Sequence, residues 1–128
     1  MRTGLVAKKL GMSSMFTEQG ETIKRFSTLD GHGLKALQEA GITPAVITGR
    51  DSAALRKRLS DLGIQRAIFG TIDKAPAAQT LLTQLGLDWS HASHMGDDWP
   101  DLAVMTRAAL AFAPANAHYE VKARAHYV

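Results

Sequence analysis

His91-Ala92-Ser93-His94-Met95-Gly96-Asp97-Asp98-Trp99-Pro100-Asp101-Leu102 is the stretch from which the rest of this chain can be read. Residues 91–95 read as a strand, Gly96 breaks it, and Pro100 opens a helix running to residue 107. Between strand and helix stand Asp97, Asp98 and Asp101, three carboxylates within five residues. Like charges this close repel unless a cation or cationic ligand shares them, and a hard cation such as Mg²⁺ prefers oxygen donors of this kind. The same acids also suit a helix start, where Asp98 caps and early carboxylates favour the helix dipole. What lies at neighbouring strand ends decides between the two.

Working outward, the period of the apolar residues alternates between strand and helix. Towards the N-terminus, a helix with Pro76 in its first turn carries Leu81, Leu82 and Leu85 to Gly86, and residues 66–69 form the strand before it. Further back, Asp51 or Ser52 caps a helix with Leu55, Leu59 and Leu62 at helical spacing, closed by Gly63. Residues 44–48 are a buried strand, and residues 33–40 a helix with Leu34 and Leu37 on one side and Gly41 as its stop. Beyond the acidic stretch, 109–113 read as strand, 115–125 as helix, and 126–128 as the start of another strand. This order predicts an α/β fold: a three-layer, Rossmann-like, doubly wound parallel sheet with helices on both faces. Ligands in such sheets sit beyond the carboxyl ends of the strands, so Thr48-Gly49-Arg50, residues 70–74 and residues 96–101 should converge on one site.

The N-terminal part differs. No acid occurs before Glu18, residues 4–7 form a possible short strand, and residues 15–26 read as a β-hairpin about Gln19-Gly20. The division drawn from these signals is an atypical segment 1–14 followed by a core of 15–128. With 128 residues the chain fits one domain able to bury a real core. It has no cysteine, which removes thiol catalysis and thiolate zinc sites. No apolar run is long enough to cross a bilayer, and the expectation is a cytoplasmic protein. A net charge of +3 and a pI near 9.5 raise the question of nucleic acid. The bases are spread among acids, and neither Lys8-Lys9 nor Arg56-Lys57-Arg58 is interleaved with aromatic residues that stack on single strands, so nucleic acid is the minor reading.

Each candidate group has a bland alternative. Thr48-Gly49-Arg50 offers a hydroxyl, a backbone N–H and a guanidinium to an anion, or is an ordinary strand-to-helix turn. Lys74 stands at a helix N-terminus, where a cation opposes the dipole and so hints at a role. Asp30-Gly31-His32-Gly33-Leu34-Lys35-Ala36 contains GxGxxA, with Asp51 about twenty residues on, as a dinucleotide site requires. A turn with permissive glycines is the reading preferred there. His91 and His94 face opposite sides of a strand, so at most one could join Asp97. Trp89 and Trp99 are expected to pack.

Taken together, Thr48-Gly49-Arg50, Lys74 and Gly96-Asp97-Asp98-Trp99-Pro100-Asp101 resemble the haloacid dehalogenase superfamily of phosphatases. With Gly20 to Phe26, Leu29 to Gly33 and Ala45 to Arg50, the resemblance is to its branch that hydrolyses 3-deoxy-D-manno-octulosonate 8-phosphate in lipopolysaccharide biosynthesis. It spans Phe16 to Val128. It implies a core with no large cap domain, an Mg²⁺-dependent phosphoric monoester hydrolase, and a tetramer in which the hairpin joins neighbours. By the same resemblance Thr48 binds the phosphoryl group with Gly49, and Lys74 neutralises nucleophile and phosphate. Arg50 and Asp30, Gly31, His32 and Gly33 face the sugar acid; Asp97 ligates Mg²⁺, with Asp98 and Asp101 beside it. The family's attack begins with a DxD pair at the end of the first strand, and this chain has none. Residues 1–12 instead resemble the start of a large-subunit ribosomal protein, and the family's C-terminal continuation does not follow Val128. The expectation is a phosphate and Mg²⁺ half-site with impaired turnover. The alternative is a non-catalytic module that pairs with intact paralogues through the hairpin.

Overall fold

The computed structural model describes the backbone of residues 4–8, 12–16 and 22–26, and residues 28–128 in full. In chain order the elements are β1 (Gly4–Lys8), β2 (Met12–Phe16), β3 (Thr22–Phe26), α1 (Thr28–Glu39), β4 (Ile42–Ile47), α2 (Ala53–Asp61) and β5 (Arg66–Ile68). They continue with α3 (Lys74–Leu85), β6 (Ala92–Met95), α4 (Leu102–Arg107), β7 (Leu110–Phe112) and α5 (Tyr119–Arg124). Five strands form one parallel sheet in the order β5-β4-β1-β6-β7, while β2 and β3 pair antiparallel as a separate hairpin. No helix among the described residues is long and apolar enough to cross a membrane.

Layering follows from the two-residue period of a strand. In β4, Ala45 and Ile47 point to one face and meet Ala75, Ala78, Leu81 and Leu82 of α3 with Val104 of α4. Val46 points to the other, against Leu34 of α1 and Leu55 and Leu59 of α2. Helices therefore cover both faces, as the alternating order requires. Leu82 is fully buried, and sequestering a side chain of this kind contributes about 1.5–3 kcal/mol. A smaller cluster, Met105, Ala111, Ala113, Ala117 and Val121, seats α5 beside β7.

Local signals set the helix ends. Ser52 caps α2 by accepting from Leu55 N at 3.1 Å. Gly86 ends α3 in the left-handed region at φ 68°, a conformation a β-carbon disfavours.

β1 lies at the centre of the sheet: Val6 pairs with Pro44 on one side and Ser93 on the other. The division expected after residue 14 falls inside β2, and the hairpin runs from Met12 rather than Met15, with its turn outside the described residues. The expected turn at Asp30-Gly31-His32-Gly33 is helix, since α1 begins at Thr28. Gly31 serves packing there. A β-carbon on it would come 2.3 Å from Arg58 Nη2 and 3.1 Å from Leu62 Cδ2, so its bareness lets α1 approach α2. Asp51, the other half of the dinucleotide pattern, is tied to Arg56 at 2.7 and 2.8 Å; with the glycines inside a helix, that pattern has no phosphate loop. The expected helix over 115–125 shortens to α5, because residues 114–117 make a turn closed by Ala117 N donating to Pro114 O and His118 supplies the cap.

Candidate active site at the carboxyl ends of the strands

The chain leaves β4 at Ile47, β1 at Lys8 and β6 at Met95, and Lys8 is paired with Met95, one residue before the acidic loop. Parallel strands put these three exits on the same edge. Thr48 is fixed to the next crossover: its N–H donates to Ile68 O at 3.0 Å, and its carbonyl accepts from Thr71 N at 3.2 Å. Its hydroxyl accepts from Arg50 N at 3.2 Å, folding Gly49 and Arg50 into an exposed turn. Because α1 runs back along β4 and turns at Gly41, its first turn, with Asp30 to Gly33, lies toward the same edge.

Asp101 is the centre of the acidic loop, and it is buried. A turn of 3₁₀ helix at Trp99–Asp101 folds it back beneath the loop, and Pro100 within that turn suits its fixed φ. Oδ1 of Asp101 accepts from Lys74 Nζ at 2.8 Å and from His94 Nε2 at 2.8 Å. Oδ2 accepts from the backbone N–H of Asp97 at 3.1 Å and of Asp98 at 3.3 Å. A β-carbon on Gly96 would stand 2.2 Å from Asp101 Cβ, so the loop closes this tightly only with glycine there. Burial pushes the Asp101 carboxyl up, but the hydrogen bonds from His94 and Lys74 and their charges outweigh it and hold the group well below the usual carboxylate range.

Asp98 accepts from Trp99 N at 2.8 Å and completes a reciprocal capping box with Asp101. The cap reading of the acids is therefore realised at Asp98. Asp97, Asp98 and Asp101 do not converge as a trio of ligands: among the described residues no three His, Asp or Glu side chains are placed to hold one ion. The physical reason is that Asp101 turns inward to four donors and Asp98 to the backbone. The loop is braced from outside as well, since His118 N donates to Asp97 O at 2.9 Å and the His118 ring meets Trp99 edge-on at 5.2 Å.

Lys74, the first residue of α3, escapes the unfavourable helix dipole by pairing with Asp101. Beside it opens a crevice of about 550 Å³ walled by Ile72, Pro76, Trp99 and Ala103, with Asp98 at its rim. Trp99, expected to pack, is 57% exposed at this crevice. Trp89 does pack against the core, its indole donating to Gln79 Oε1 at 2.8 Å. The strand expected from His91 begins only at Ala92: His91 ends a 3₁₀ turn before it and pairs with Asp88 at the surface, while His94, within β6, goes inside to Asp101. The pattern of residues missed His94 as a member of the site. The available signal was a polar residue on the buried face of a strand two positions before a glycine.

Residues 67–128 match the family profile of haloacid dehalogenase-like hydrolases. The chain is 39% identical over 107 residues to 3-deoxy-D-manno-octulosonate 8-phosphate phosphatase of Haemophilus influenzae, covering 84% of this chain and 59% of that protein. It superposes on the phosphatase of that name from Moraxella catarrhalis, solved with magnesium, phosphate and the sugar acid, with a TM-score of 0.90 at 34% identity over 98% of this chain and 75% of that one. The chain belongs to the haloacid dehalogenase-like hydrolases. A cobalt-bound Haemophilus influenzae phosphatase of the same kind superposes with a TM-score of 0.88 at 34% identity, covering 97% of this chain and 75% of that one. Against the curated relatives the chain spans 59% of their length. The dehalogenase-like fold expected from the sequence is therefore the fold observed.

Proposed function

We propose that this chain is a phosphatase of the 3-deoxy-D-manno-octulosonate 8-phosphate type whose site binds the phosphate group but turns it over poorly. The observation that carries the reading is that the Thr48 turn, Lys74 and the Asp97 loop lie at one edge of the sheet, with Lys74 tied to the loop by its pair with Asp101. In this reading Thr48 and Gly49 bind phosphate oxygens and Lys74 neutralises them, while Arg50 and the first turn of α1, Asp30 to Gly33, face the sugar acid. Asp97 holds Mg²⁺, and Asp98 and Asp101 shape its loop. One carboxylate with waters and a phosphate oxygen is a coordination Mg²⁺ accepts, and the cation would supply charge neutralisation of the phosphoryl group. The protein acts in the cytoplasm.

The impairment follows from β1. It occupies the middle of the sheet, yet the sequence from Gly4 to Gly11 contains no carboxylate, and the strand ends on Lys8. Without a nucleophile the covalent route is closed, leaving positioning and electrostatics. Phosphate release from the 8-phosphate sugar acid with Mg²⁺ tests this. Residues 1–128 should release phosphate at a rate lower by several orders of magnitude than a chimera in which a DxD-bearing strand replaces residues 1–14; equal rates would overturn the reading.

A second reading rests on the hairpin. Among the described residues the β2–β3 pair joins the main sheet through no strand pairing, and a lone two-stranded hairpin is marginal in water. As an assembly module it would be covered by another subunit. Co-purification of this chain with an intact paralogue as a mixed tetramer would support that role, and a strictly monomeric chain would remove it.

A further inference from the structure

His94 is 3% exposed and makes one hydrogen bond, from Nε2 to Oδ1 of Asp101. Its partner is a carboxylate oxygen, which only accepts, so Nε2 is the donor. Nδ1 is buried and has no partner. A half-satisfied ring inside a sheet is a poor filler; an apolar side chain of similar size would avoid the unpaired nitrogen. What the ring does accomplish is visible at Asp101. Lys74 and His94 donate to the same oxygen, each at 2.8 Å, while the other oxygen is occupied by two backbone N–H groups. The carboxylate thus has no second oxygen with which to grip Lys74.

From this shared oxygen we infer that His94 is a positioning residue that loosens the Lys74 to Asp101 pair, so that the ammonium keeps charge and hydrogens for an oxyanion in the crevice beside it. Lys74 is anchored through one shared acceptor rather than clamped by a bidentate one, and its Nζ has two further hydrogens to offer. Without the imidazole, Oδ1 serves Lys74 alone; the pair tightens, and the lysine is more fully neutralised before any ligand arrives. The inference rests on the proposed role of Lys74 in binding phosphate, and its first measurement is independent of that role.

Three proteins decide it: residues 1–128, His94→Phe and His94→Gln, where Gln keeps a donor near the Nε2 position. Reductive methylation followed by mass spectrometry reports the reactivity of Lys74 against the other lysines as internal standards. His94→Phe should slow methylation of Lys74 by about tenfold, the scale of one charge-assisted hydrogen bond, and His94→Gln should restore most of the rate. Isothermal titration with inorganic phosphate should show a parallel loss of affinity in His94→Phe and its recovery in His94→Gln. An unchanged or faster Lys74 reaction in His94→Phe overturns the inference, and so does a His94→Gln protein that behaves like His94→Phe. If His94→Phe fails to fold, His94→Leu takes its place in both arms. Slower methylation without phosphate binding in any of the three proteins would support the positioning role and remove the phosphate reading instead.

Discussion

Two carboxylate and cation pairs in this molecule have nearly the same length and opposite meaning. Asp51 and Arg56 meet at 2.7 and 2.8 Å in a bidentate fork at the surface, with both side chains more than half exposed. Asp101 and Lys74 meet at 2.8 Å with both side chains nine-tenths buried or more, and His94 shares the same oxygen. The surface pair has the better geometry. Water and salt nevertheless replace most of what it offers, whereas nothing replaces the partners of a buried charge. Burial, rather than distance, separates the pair that builds a site from the pair that decorates a helix. The Arg56 guanidinium also lies 4.1 Å over the Phe69 ring, beside a groove of about 690 Å³ along α2 and β5 that contains none of Thr48, Lys74 and Asp97.

The largest effect should come from breaking the buried pair. Asp101→Asn leaves Lys74 charged and poorly paired inside the protein, and the expected loss is about 3–5 kcal/mol of stability, read from urea denaturation. The pH dependence has a definite sign. The folded-state pKa of Asp101 is depressed, so its contribution is fully present above the unfolded value of about 3.9 and is lost as the pH falls toward the folded value. The parent should therefore lose thermal stability on going from pH 5 to pH 3 by more than Asp101→Asn does, both pH values being chosen to bracket that unfolded value. Equal losses would show that Asp101 is not the group responsible.

Gly96→Ala should come next. Its β-carbon would fall 2.2 Å from Asp101 Cβ, an atom that cannot swing away as the end of a long side chain can. Forcing it in should cost about 1–3 kcal/mol in the same denaturation assay. A neutral result would mean that the acidic loop opens freely, contrary to the four hydrogen bonds that the Asp101 carboxylate accepts. The smallest effect belongs to Asp51→Asn, which should leave the melting temperature unchanged within error at physiological salt. A measurable drop there would break the contrast between the two pairs.

How far the sequence carried the reading varies along the chain for physical reasons. The layers and the helix and strand order were legible because the apolar residues repeat with the period of the element that buries them, as Ala45, Val46 and Ile47 do in β4. The edge where Thr48, Lys74 and Asp97 gather followed from strand direction alone. Asp30 to Gly33 misled, because glycine signals a turn by its freedom, whereas Gly31 sits inside α1, close against Arg58 and Leu62. The partnership of Asp101 with His94 depends on a single 3₁₀ turn folding one residue under another, which the period of the apolar residues does not encode. The exposure of Trp99 was hidden for a similar reason: a large apolar side chain beside a helix start is expected to be covered, and this one faces a crevice. The place of β1 was open in the sequence, since a short run such as Gly4-Leu5-Val6-Ala7 carries no label for its neighbours.

The central position of β1 also governs the order in which this protein can be assembled. Its neighbours on the two sides pair with Val6 through Pro44 and Ser93, so β1 gains its second neighbour only when β6, far along the chain, is available. Until residues near 95 have emerged, β1 has at most one edge covered, and its closure must bring together segments far apart in the chain. Contacts of such long range make folding slow and leave an open strand edge available to other chains in the meantime.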